Sequence, residues 1–173
     1  MFMGWFRPLV TVGMLLGMLA SSSASADRTI PSALFVSKSE NKNQVHYAVR
    51  VDDRCELESP APVYAYWRMF EKGPNAVEPL LAREQSAYGI ARQQVAGETV
   101  TVWLRALPSR PITIHVARAP GGACAATAET TIAGHAARLF NVHVALGFLH
   151  VDHLLLTGWE DTDGRVVRER IQP

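Results

Sequence analysis

The sequence is short of cysteine, of net charge and of long apolar runs, and each shortage removes a class of protein. Two of its 173 residues are cysteine, Cys55 and Cys124. That is too few for a disulfide-dense scaffold, and the pair lacks the Cys-x-x-Cys spacing of a redox catalyst. Seventeen basic side chains stand against sixteen acidic ones, with no run of one sign. Such a balance argues against nucleic acid as a partner and against electrostatic capture by an anionic membrane. The apolar stretch Leu9 to Ala20 reaches only about 18 Å as a helix, against roughly 30 Å of bilayer hydrocarbon, so no stable membrane insertion is expected of it. Also missing are the Gly-x-Ser-x-Gly elbow, the phosphate-cradling glycine loop, the dinucleotide fingerprint and the His-Glu-x-x-His zinc helix. No cofactor is implied.

What the first residues do carry is an export pattern. Arg7 precedes the apolar stretch, and a small-residue run ends at Ala24-Ser25-Ala26. These are the three parts of a cleavable signal peptide, expected over residues 1–26 with cleavage after Ala26. The remaining residues, 27–173, make a single β-rich domain, long enough to bury a core. Arg7 is the one charged residue of the leader, which leaves 16 basic and 16 acidic side chains in the domain. The expected address is periplasmic or secreted. In that oxidising setting Cys55 and Cys124 are expected to bridge, the alternative being two buried thiols. A bridge across so long a loop stabilises by about 4 kcal/mol on a chain-entropy argument.

Hydrophobic periodicity is mostly two. Val45, Tyr47, Val49 and Val51 alternate with His46, Ala48, Arg50 and Asp52, as in a half-buried strand. Val63 to Phe70 presents two largely apolar faces and reads as a central strand. Glu78-Pro79 opens the one expected helix, with Leu80, Leu81, Glu84 and Tyr88 at helical spacing and Gly89 at its end. Ala96-Gly97-Glu98 joins strands Ile90 to Val95 and Thr99 to Ala106 as a hairpin. Further extended segments run over Ile112 to Ala117, Ala125 to Ile132, Arg138 to Leu146 and Leu154 to Trp159. The expectation is an all-β, mainly antiparallel fold of seven to eight strands, sandwich or barrel, with one short helix.

Among the histidines, His150-Val151-Asp152-His153 has the look of part of a metal site, but a strand sends the two histidines to opposite faces, and four ligands are wanting. His46, His115 and His143 fall on the polar faces of their strands, where a surface role is expected. Asp161-Thr162-Asp163-Gly164 starts like a calcium loop yet lacks the closing glutamate, so it reads as a turn. Glu84 with Asp52 is a conceivable acid/base pair that nothing in the pattern selects. The aromatic group Tyr47, Tyr64, Tyr66, Trp67 and Tyr88 suits either a ligand pocket or a core.

The blocks Leu34 to Tyr47, Pro62 to Met69 and Ala87-Tyr88-Gly89 resemble a bacterial family catalogued as domain of unknown function 4833, and the likeness continues more loosely to about Leu155. The resemblance implies an exported single-domain protein and brings no activity. It directs attention to Asn41, Asn43, Tyr47, Tyr66, Trp67, Tyr88 and Gly89, the first six of which are expected to bind a ligand; no metal ligands are expected. The expected function is a non-enzymatic binding module for a small molecule, an envelope component or a protein partner. The alternative is an envelope-acting hydrolase with a site assembled from distant strands, and a third reading is metal binding at His150 and His153.

Overall fold

A computed structural model describes residues 28–58, 60–148 and 150–172. The expected leader and its junction with the domain lie outside these residues. Eleven strands and one helix follow in chain order: β1 (Arg28–Lys38), β2 (Asn41–Val51), β3 (Val63–Arg68), β4 (Val77–Pro79), α1 (Ala82–Tyr88), β5 (Ile90–Ala96), β6 (Thr99–Leu104), β7 (Leu107–Arg118), β8 (Cys124–Ile132), β9 (His135–Leu146), β10 (Val151–Glu160) and β11 (Val166–Ile171). The β class and the single helix match the expectation; the strand count of seven to eight is too low. Two of the additional strands are β4, too short for any periodicity to register, and β11, whose Arg168, Glu169 and Arg170 mask its alternation.

All eleven strands join one open mixed sheet, with the path β4-β3-β2-β1-β9-β8-β7-β6-β5 and the hairpin β10-β11 attached along β9. Among the described pairings, β1 with β9 is parallel and the others are antiparallel. Strand β9 is shared: His135 to Arg138 pair with β8, and Asn141 to Val144 pair with β1. That sharing divides the path into two wings, which curl toward each other over the core. They meet at Gln93 on β5, whose Oε1 accepts from the Val63 N–H at 3.0 Å and whose Nε2 donates to the Val63 carbonyl at 3.1 Å. One side-chain amide thus supplies the rung that a neighbouring backbone would supply to β3. Strand β3 itself lies between β2 and the three-residue β4, near the end of the path rather than at its centre.

The inward faces are the period-two sets read from the sequence. Val45, Tyr47, Val49 and Val51 of β2 are fully buried, as are Val100, Val102 and Leu104 of β6. Full burial of such a side chain stabilises by about 1.5–3 kcal/mol. Cys55 and Cys124 are bonded, tying the turn after β2 to the first residue of β8. Arg118 reinforces the tie, donating to the Asp53 carbonyl at 2.8 Å and the Gly122 carbonyl at 2.7 Å.

Two local expectations change. Glu78-Pro79 does not open the helix but pairs with Tyr66 and Trp67 as β4. Proline lacks an N–H, which suits an outermost strand as well as a first helical turn. The helix starts after Leu81, whose N–H donates to the Glu84 carboxylate at 2.7 Å, and it ends at Gly89 as expected. At Gly89 a Cβ would meet the Gln85 carbonyl oxygen at 2.4 Å.

The second change is His46, which is not a surface residue: it is 7% exposed. Between Ile30↔Val49 and Leu34↔Tyr47, strand β1 carries a bulge of Pro31, Ser32 and Ala33 opposite Ala48. His46 fastens it, with Nδ1 at 2.9 Å from Ser32 Oγ and Nε2 at 2.9 Å from Gln44 Oε1. The ring stacks on Phe35 at 5.4 Å and lies 5.9 Å from Tyr66, whose hydroxyl donates to the Pro31 carbonyl. The sequence pattern placed His46 on the outer face of β2 correctly; what it could not register is that neighbouring aromatics lie across that face.

Candidate functional site

The end of the first wing forms a cleft of about 450 Å³ between the β1–β2 turn, β3, β4 and the start of α1. Trp67 is its aromatic wall, buried to 7% exposure on the inward face of β3. The Lys38 ammonium sits 5.5 Å from the centre of the indole ring, a cation–π contact, and also pairs with Glu40 at 3.3 Å. Tyr88, at the end of α1, meets Trp67 edge-on at 5.7 Å.

The polar rim is partly committed and partly unspent. Asn41 Oδ1 accepts from the Asn43 N–H at 3.0 Å, the turn-building contact expected of such a residue. Asn43 is held by Glu71, donating Nδ2 to its carboxylate at 3.1 Å and accepting from its backbone N–H at 3.3 Å. Glu78 pairs with Lys72, and Glu84 accepts the Leu81 N–H. Hydrogen bonding on the cleft side is left to the Asn41 Nδ2, the second Asn43 Nδ2 proton and the remaining carboxylate lone pairs of Glu78 and Glu84.

Of the six residues singled out from the sequence, Asn41, Asn43 and Trp67 line this cleft, and Tyr88 supports Trp67. Tyr47 lies beneath it, fully buried, with its hydroxyl donating to the Tyr88 carbonyl at 2.6 Å. Burial pushes the Tyr47 phenol far above its ordinary range, so it stays neutral. Tyr66 is on the opposite face of β3, where it pins the β1 bulge, and burial and the neighbouring Tyr64 raise its phenol. Adjacent strand residues point to opposite faces, and so Tyr66 and Trp67 do not share a site.

The family described as "Domain of unknown function (DUF4833)" matches residues 34–170. The chain belongs to this family. No curated protein and no solved structure matches the chain. The matched span runs from inside β1 to near the end of β11 and includes every DUF4833 residue that lines the cleft. Three of those residues, Met69, Glu78 and Leu81, are not among the candidate site residues of the sequence, and Glu84 figures there only as a conceivable partner of Asp52; all four reach the cleft from β3, β4 and the start of α1 through a register that no local pattern encodes. Lys38 went unremarked too, although it stands within the first resembling block.

The remaining candidates are distributed elsewhere. His153 Nδ1 bonds Asp152 Oδ2 at 2.7 Å and His150 Nδ1 bonds the Phe148 carbonyl at 2.8 Å. Among the described residues no group of three or more His, Cys, Asp or Glu side chains is placed to hold a metal ion. Asp52 and Glu84 each serve a separate backbone turn, Asp52 accepting from the Arg54 and Glu56 N–H groups. Asp161 to Gly164 form the β10–β11 turn, with Gly164 at φ +70°. No helix among the described residues is long and apolar enough to cross a membrane.

Proposed function

We propose that this is an exported, non-enzymatic binding domain whose cleft at Trp67 takes a small amide-bearing saccharide. The observation that carries the reading is the composition of that cleft: an indole wall beside unspent amide donors and carboxylate acceptors. An aromatic ring covers the apolar face of a sugar, and amides and carboxylates bond its hydroxyl and acetamido groups. Glu78 and Glu84 are engaged with Lys72 and the Leu81 N–H, a commitment that favours holding a ligand over general acid–base work. The export pattern of residues 1–26 and the Cys55–Cys124 bridge support a periplasmic or secreted setting.

The test is calorimetric titration with tri-N-acetylglucosamine, using the native chain and Asn41→Ala. Asn41 is at the rim, so its removal leaves the core intact. Saturable one-to-one binding that Asn41→Ala weakens about fivefold supports the reading, at roughly 1 kcal/mol for one hydrogen bond. No binding at millimolar sugar, or release of monosaccharide during the titration, overturns it.

A further inference from the structure

A second cavity, of about 550 Å³, opens elsewhere on the molecule, between the end of α1, the β6–β7 turn, β9, β10 and β11. Its chemistry is the reverse of the first. Leu107, Val144 and Leu154 line it and belong to the buried core, exposed to 1%, 3% and 7%. Tyr88, Ala106 and Ile171 extend the wall. Such a lining offers water few partners and is suited to hydrocarbon. At the rim Val151 is 37% exposed, and Phe148, in the adjoining β9–β10 turn, is 87% exposed.

Ser109 and Gln172 add neutral polar groups at its edge, and one lining side chain is charged. Arg105 lines both this cavity and a small polar recess beside it, formed with Ala82, Gln85, Ser86 and Ile90. No acidic residue lines either space. Among the described residues the Arg105 guanidinium makes no ion pair, side-chain hydrogen bond or ring contact. An uncompensated cation at the mouth of an apolar cavity complements a ligand that is apolar at one end and anionic at the other.

We propose that this cavity binds one monomeric amphiphile, an acyl chain seated against Leu107, Val144 and Leu154 with its anionic head group on Arg105. The site is separate from the Trp67 cleft and does not depend on the reading given to that cleft. A free fatty acid is the minimal ligand of this chemistry.

The experiment is calorimetric titration of the oxidised chain with octanoate, decanoate and dodecanoate below their aggregation concentrations, with dodecanol as the uncharged counterpart. One-to-one binding is expected, tightening about fourfold for each added methylene, or about fifteenfold from one acid to the next. Arg105→Glu alters an exposed residue; it should weaken dodecanoate at least tenfold and leave dodecanol unchanged. Ala106→Trp, which fills the cavity, should abolish both. The proposal is overturned by affinity independent of chain length, by an Arg105→Glu effect equal for acid and alcohol, or by the absence of saturable binding. Sedimentation with anionic phosphatidylglycerol vesicles without binding of monomeric acid would likewise overturn it, since that is adsorption to a surface.

Discussion

Acidification tests the packing of the first wing through one residue, His46. Burial, aided by the nearby Arg68 cation, lowers its pKa from 6.5 to about 4. Its neighbours are Ser32 and Phe35 on β1, Gln44 on its own strand and Tyr66 on β3, none of them anionic at these pH values. Between pH 6.5 and 4 the unfolded chain therefore binds a proton that the folded chain refuses. The neutral imidazole's contribution is fully present above pH 6.5 and is lost as the pH falls through that window to about 4, below which both states are protonated. At about 1.4 kcal/mol per pH unit the loss is about 3 kcal/mol. The assay is urea denaturation of the native chain and of His46→Leu between pH 3.5 and 7.5. Leucine does not titrate, so the difference between the two chains isolates His46 from the carboxylates. His46→Leu should be the less stable at pH 7, having lost the bonds to Ser32 and Gln44, and the gap should close or reverse by pH 4. A difference that stays flat across this range, or a His46 resonance titrating near 6.5, refutes the argument.

Four further outcomes are expected. Tyr47→Phe leaves the Tyr88 carbonyl without its buried donor and should cost about 1–2 kcal/mol in urea denaturation, with the last turn of α1 gaining hydrogen exchange first. Reducing Cys55–Cys124, or replacing both by alanine, should cost about 4 kcal/mol; a loss under 1 kcal/mol would mean that the Arg118 contacts hold that end unaided. Glu169→Gln breaks the Arg110 ion pair and weakens the bond from the Ala133 N–H, which together hold the Glu169 carboxyl below its usual range; a thermal-unfolding loss of about 2 kcal/mol at pH 7 should shrink below pH 4. Gln93→Leu removes the two bonds to Val63 and should cost about 2 kcal/mol, whereas Gln94→Leu, at a neighbouring exposed position, should cost little.

The fold was legible wherever burial followed a single local period. The alternation in β2, the Gly97 hairpin and the termination at Gly89 follow from side-chain direction and turn chemistry within a few residues. Elements whose identity depends on a distant partner were not legible. Val77–Pro79 is a strand because Tyr66 to Arg68 pair with it, and nothing within three residues signals that. Val166 to Ile171 is held by β10, and by Glu169 reaching Arg110 far back in the chain. The candidate site divides in the same way. Asn41, Asn43 and Trp67 come from adjacent strands and were read together, while Glu78 and Glu84 arrive through the β3–β4 pairing and the turn into α1. Tyr47 and Tyr66 show the limit of composition as a guide: a tyrosine that fastens backbone and one that meets a ligand are the same residue in a sequence.

The clasp at Gln93 bears on how the molecule behaves toward copies of itself. A strand border with open N–H and C=O groups is a template on which another chain can add a strand, and folded proteins blunt such borders. Here β5 covers the β3 border at Val63 through the Gln93 side chain and not through a continuous ladder. Loosening that amide would open the β3 border at Val63 beside the outermost strand β5, within a disulfide-bonded domain, so the first sign of a lost Gln93 should be concentration-dependent association before any loss of secondary structure. Gln93 would then act on self-association as well as on stability, a role separate from whatever the Trp67 cleft and the Arg105 cavity hold.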